Sequence, residues 1–311
     1  MDGFLSLQNY SEKINKTIMK NNVDKQYLKY LKYILNNGVK KVDRTGTGTI
    51  SIFDYSMRFN MSEGFPLLTS KKVFTKAVIH ELIWFLKGDT NIKYLKENGV
   101  SIWDEWANEE GELGPVYGWQ WRMFGKKYIS KKSRESRESR EENNIAVDQI
   151  KYVITELLKE NSRRAVLSAW NPVDLNIMAL PPCHILYIFN KSKDGLCCHL
   201  TMRSSDLFLG LPFNIASTAL LTQIIAHVLH LNSSEVCLSL CDAHIYEEHV
   251  EQVKKQVDLE IYESPRVIIE KAAPAIETSL DDKIKWIESL KYSDFTLINY
   301  KSYDKLPAIM K

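Results

Sequence analysis

The run from Leu207 to Leu231, LFLGLPFNIASTALLTQIIAHVLHL, holds no Asp, Glu, Lys or Arg. An uncharged stretch this long has to be hidden from water, in lipid or in a protein core. Gly210-Leu211-Pro212 interrupts it near the start, and Asn214, Ser217, Thr218, Thr222 and Gln223 carry polar groups through its middle. Those groups would be costly in hydrocarbon. The run therefore reads as a helix from Phe213 to Leu231, started by Pro212 and Asn214 and buried in a soluble core. No membrane is expected as a partner.

Elements that could surround such a helix are legible on both sides. Residues 24–37 place Tyr27, Leu31, Ile34 and Leu35 on one stripe, predicting a helix stopped near Gly38. RTGTGT, from Arg44 to Thr49, reads as a loop ahead of the alternating strand ISIFDYSMRF. Residues 75–88 predict a second helix, and the aromatic-dense residues 101–122 read as loop. Further on, 147–159 looks helical, and 165–170, 184–189 and 196–202 look like strands, with turn signals at Asn171-Pro172 and Asp194-Gly195. Strands mixed with long helices, without strict βαβ alternation, predict an α+β fold. No linker divides the chain, so a polar lead-in (1–23) and one domain (24–311) are expected. From Ser130 to Asn144 there is no apolar residue and SRE occurs three times in succession, which reads as a solvated loop.

Forty-one basic and 39 acidic residues leave a net charge of +2, no global field for a polyanion. RNA binding is not expected, and any phosphate site must be a local cluster. Five cysteines, none in a CxxC pair and with no secretory segment ahead of them, fit a reducing, cytoplasmic location.

Three constellations could carry chemistry. In PPCH (181–184) two prolines fix the backbone entering Cys183; the thiol could be a nucleophile or simply a small buried hydrophobe. Arg44, Arg163, Arg164 and Arg203 lie at loops or strand ends, where guanidinium groups suit a phosphate, and Ser204 could add a hydroxyl; taken alone, each arginine better suits a surface ion pair. Asn214 has the donor and acceptor of a uracil-edge reader, or is a helix cap. His244 and Tyr246 share a strand face and could bind a sugar hydroxyl, or be core residues.

Together the stretches DRTGTGTISIF, FPLLTSKKVF, ELIWFLKGDTNI, IWDEW, GELGPVYGWQWR, SRRAVLSAWNP, MALPPCH, RSSDLFLGLPFNIAS and DAHIYEEH closely resemble the thymidylate synthase family, from about Asp24 to near the C-terminus. The resemblance implies a single domain with a large twisted, mostly mixed β-sheet covered by helices, its sheets packed back to back in a homodimer. It implies reductive methylation of dUMP to dTMP, with 5,10-methylenetetrahydrofolate giving carbon and hydride, and no metal. Cys183 would add to C6 of the pyrimidine, turning C5 into a nucleophile. Arg203 would hold the phosphate and favour the thiolate; Arg44 would complete that site, with Arg163 and Arg164 reaching in from the partner subunit. Asn214 would read the uracil, His244 and Tyr246 the deoxyribose. Glu81, Tyr117 and His184 would form a proton-moving network. Ile102, Trp103, Trp106, Leu209, Gly210 and Phe213 would wall the folate, Asp206 would pair with its pterin, and the tail with Ala308 would close over it.

The chain departs from the family pattern in four places. His199, Thr201 and Met202 stand where Gln, Tyr and Gln are usual, and Thr218 replaces the tyrosine of IASY. Cys241 replaces a glycine, and the tail ends in Met310-Lys311 where a small residue then Val or Ile is usual. Two other activities compete: a dUMP or dCMP hydroxymethylase of the same fold, and a non-catalytic nucleotide- or RNA-binding relative. Asn214 argues against the dCMP form, which typically has aspartate there. Cys183, Glu81 and Tyr117 argue against a binder, which needs no nucleophile.

Overall fold

The computed structural model describes residues 21–42, 46–130 and 146–308. Most of the lead-in, Arg44, the SRE run and the last three residues lie outside the described residues. Helix α1 (Asn22–Asn37) starts under Asn21, whose side chain accepts the Asp24 N–H at 2.9 Å. It buries Tyr27, Leu28, Leu31 and Ile34 on one face. Asp24, fully buried, accepts from the Thr69 N–H (2.7 Å), the Thr69 hydroxyl (2.8 Å) and the Ser70 N–H (3.0 Å). The carboxylate thereby ties α1 to the chain that leads into α2 (Thr75–Leu86).

Six strands form the main sheet: β1 (Val39–Lys41), β2 (Thr49–Asn60), β3 (Val166–Ser168), β4 (His184–Ser192), β5 (Gly195–Asp206) and β6 (Ser233–Tyr246). Their order is β1-β2-β6-β5-β4-β3, with β5–β6 parallel and every other pair antiparallel. This is the mixed sheet of an α+β domain. The single parallel pair needs a crossover, and α6 (Gly210–Val228) supplies it. This is the long apolar run, buried against β5, β6 and α2 with Leu211, Ile215, Leu220 and Ile224 in the core. It starts three residues before the expected Phe213 and ends at Val228. Pro212 occupies the third helical position, where a backbone N–H has no intrahelical partner to lose.

Residues 101–122, expected to be loop, end instead in a short helix, α4 (Tyr117–Met123). Tyr117, Trp119 and Trp121 are all buried, so no polar face marks α4 as helical. The strand expected at 165–170 is confined to β3. Helices α3 (Lys93–Glu97), α5 (Gln149–Leu158), α7 (Val250–Gln256) and α8 (Leu280–Glu288), with a second sheet of β7 (Arg266–Ile269) and β8 (Phe295–Ile298), complete the described fold. Arg122 clamps α4 to its neighbours through Asp148 (2.8 Å) and Glu288 (2.6 Å).

Two features of the β4–β5 hairpin shape the site. Gly195 turns it at φ 134°, and a Cβ there would lie 2.2 Å from the Asn232 carbonyl oxygen, so only glycine fits. At the other end the β4 register slips between His184 and Leu186. That bulge puts His184 and Tyr187, three apart, both on the buried side of the strand.

Candidate active site

The C-terminal end of β5, the start of β4, α2, α4 and the first turns of α6 converge on a cavity of about 200 Å³. It gathers Cys183, Glu81, Tyr117, His184, Ser204 and Asn214 with Ile102, Trp103, Trp106, Asp206, Leu209, Gly210 and Phe213. Leu180, Met202 and Ser205 also line it and were not among the residues anticipated from sequence.

Cys183 enters from the rigid Pro181-Pro182 segment and is held on both sides. Its N–H donates to the Tyr117 phenol oxygen at 2.8 Å, and its carbonyl accepts the Arg203 N–H at 2.9 Å. The Arg203 guanidinium donates through Nε to Pro182 O and through Nη2 to Pro181 O, each at 2.8 Å. That clamp leaves Nη2 3.8 Å from Cys183 Sγ. Arg203 also lies over the Trp170 ring at 5.8 Å. A permanent cation is thus fixed beside the thiol by backbone carbonyls.

Glu81, on α2, accepts the Trp103 indole N–H at 2.7 Å. Burial pushes its carboxyl up to about 7, against the smaller opposing effect of that hydrogen bond. His184 is buried and its imidazole is pushed down to about 3 by loss of solvation, so it is neutral. Tyr117 stacks on His184 with ring centres 3.9 Å apart and planes 15° apart. The Tyr117 phenol is raised well above its ordinary range, first by burial and then by Cys183. A carboxyl that exchanges its proton near neutrality therefore sits in one cavity with two polar groups that do not ionise there.

Asn214 lies one turn inside α6, whose start is at Leu209–Gly210, so it is not a cap. Its side-chain amide makes no hydrogen bond among the described residues and lines the cavity uncommitted. Asp206 Oδ1 accepts the N–H groups of Phe208 (2.9 Å) and Leu209 (3.2 Å), ordering the turn into α6.

Several anticipated residues lie outside the cavity wall. His244 and Tyr246 are buried at the end of β6, where His244 pairs with Asp206 in the ladder. Arg163 and Arg164 are exposed just before β3. Ala308 packs partly buried against the core.

A thiol pinned beside a cation, a carboxyl titrating near neutrality and an aromatic wall thus meet at one cavity. The chain belongs to the thymidylate synthase family: the family described as Thymidylate synthase matches residues 25–311. That family carries out folate-dependent methyl transfer in nucleotide biosynthesis, acts on dUMP with methylenetetrahydrofolate, and also includes hydroxymethylases.

Proposed function

We propose that this protein converts dUMP to dTMP by reductive methylation and releases dihydrofolate. The observation that carries this reading is the Cys183 thiol 3.8 Å from Arg203 Nη2, in one cavity with Glu81 and Asn214. The guanidinium favours the thiolate, the form that adds to C6 of the pyrimidine. Nη1 of Arg203, without a partner among the described residues, is left for the phosphate. The free Asn214 amide donates to a ring carbonyl and accepts from a ring N–H, the pattern of uracil. Glu81 takes up and returns protons near neutral pH, with Tyr117 and His184 holding the surrounding hydrogen bonds.

The folate co-substrate supplies the carbon and the hydride. Trp103, Trp106, Leu209 and Phe213 offer a flat apolar surface that suits its ring, and Asp206 an acceptor for its N–H groups. The same wall excludes water from the reacting carbon, which favours reduction over hydration.

A homodimer fits the exposed groups. On the sheet face away from α6, Phe53 is 76% and Ile188 39% exposed, and the half-buried His199 and Cys237 lie nearby. A second copy covering that face would bring the exposed Arg163 and Arg164 to its partner's phosphate site. A cytoplasmic location suits five cysteines of which none is in a disulfide.

Product analysis after incubation with dUMP and methylenetetrahydrofolate tests the reading. Equimolar dTMP and dihydrofolate are expected. A hydroxymethylated nucleotide without dihydrofolate would assign the hydroxymethylase reaction instead, and no turnover would leave a binding protein.

A further inference from the structure

We propose that Tyr187 is a positioning residue: its phenol fixes the ring of His184 and presents the Nε2–H to the cavity, taking over from the sheet side the place of the phenol usual on the helix at position 218. The inference rests on the reading of the site as that of a dUMP-methylating enzyme.

In a regular strand, residues 184 and 187 would face opposite ways. The β4 bulge brings both to the buried side, and the Tyr187 hydroxyl meets His184 Nδ1 at 2.8 Å. The contact is held from all sides. Tyr117 stacks on the imidazole, and Trp121 meets the Tyr187 ring edge-on with centres 5.6 Å apart and planes 88° apart. Across the interface Thr218, buried on α6, donates its hydroxyl proton to the Asn214 carbonyl at 2.7 Å and is the phenol's other polar neighbour. A tyrosine at 218 would need room where that phenol and Thr218 now meet.

The proton positions follow from what is available. Burial keeps the Tyr187 phenol protonated and the His184 ring neutral. Among the described residues the phenol's close partner is Nδ1 at 2.8 Å, and the Thr218 hydroxyl, already turned to the Asn214 carbonyl, is its weaker alternative. If Nδ1 carried the ring proton, the phenol would exchange this short contact for the poorer one with the Thr218 hydroxyl. The phenol therefore donates to Nδ1 and the ring proton sits on Nε2. His184 lines the cavity, so this N–H is the donor it can offer a carbonyl oxygen or an ordered water beside the pyrimidine.

Nitrogen NMR of histidine-labelled, ligand-free full-length protein reads the tautomer directly. In wild type the His184 proton is expected on Nε2, with Nδ1 a hydrogen-bonded acceptor. In Tyr187→Phe the Nδ1 signal should move to its unbonded position. That variant's kcat should fall on the order of tenfold while KM for dUMP changes less than about twofold. Adding Thr218→Tyr to Tyr187→Phe should recover part of the lost kcat. A proton on Nδ1 in wild type, or an unchanged kcat in folded Tyr187→Phe, would overturn the role, and no recovery in the double variant would overturn the replacement. Wild type with the expected tautomer but no dTMP formation would sink the functional reading and leave the tautomer assignment standing.

Discussion

At the scale of single residues, function concentrates where charge is held against solvation. Glu81 gives a stability prediction with a definite sign. In the unfolded chain it loses its proton above its ordinary 4.5, whereas in the folded protein it keeps it up to about 7. Between those values the folded state binds more protons, so Glu81 contributes stability at low pH that is lost as pH rises. Relative to Glu81→Gln, wild type should lose up to about 3 kcal/mol between pH 4 and 8, measured as the difference of two denaturation series; a constant difference would contradict the assigned burial. The same carboxyl should place a limb near pH 7 in the kcat profile. Cys183, Arg203 and Asn214 could be singled out because PPCH, RSSD and PFNIAS are compact motifs, whereas Glu81, Tyr117 and His184 came only with the family resemblance. Tyr187 was not legible, since only the bulge after His184 turns it inward, and a one-residue register slip leaves no mark in composition. Ser205 was missed similarly, as a small polar residue in a strand of alternating burial.

At the scale of elements, the fold leans on a few closures between distant segments. Asp24→Ala would strand the Thr69 and Ser70 donors in the core, and a loss of about 3 kcal/mol is expected in urea unfolding. Gly195→Ala should cost about 2 kcal/mol, from a φ of 134° and the contact with Asn232 O together. A wild-type midpoint for either variant would contradict these roles. Helices α1 and α2 could be read ahead of the structure from their apolar spacing and terminal glycines. α6 was legible as a buried helix, but its first turn was not, because Gly210 and Pro212 read as breakers although helix starts tolerate both. α4 escaped because its aromatic residues are buried all round, and its helical state is imposed by packing and the Arg122 clamp.

At the scale of the whole molecule, the α+β class could be read from residue patterns, the mixed sheet only through the family resemblance, and the pairing of strands not at all. The parallel β5–β6 contact follows from the crossover by α6, which local patterns do not encode. Assembly carries its own test. Sedimentation should give twice the 36.0 kDa chain mass. Mixing inactive Cys183→Ser with an inactive Arg163→Ala/Arg164→Ala variant should restore activity, since one mixed site would then hold an intact thiol and intact arginines. No restoration would mean that each chain furnishes its own phosphate site. The most direct measurement of the central claim is release of tritium from C5 of labelled dUMP in the presence of methylenetetrahydrofolate. Addition of the Cys183 thiolate to C6 requires release one for one with dihydrofolate in wild type and none in Cys183→Ser; undiminished release by the serine variant would contradict it.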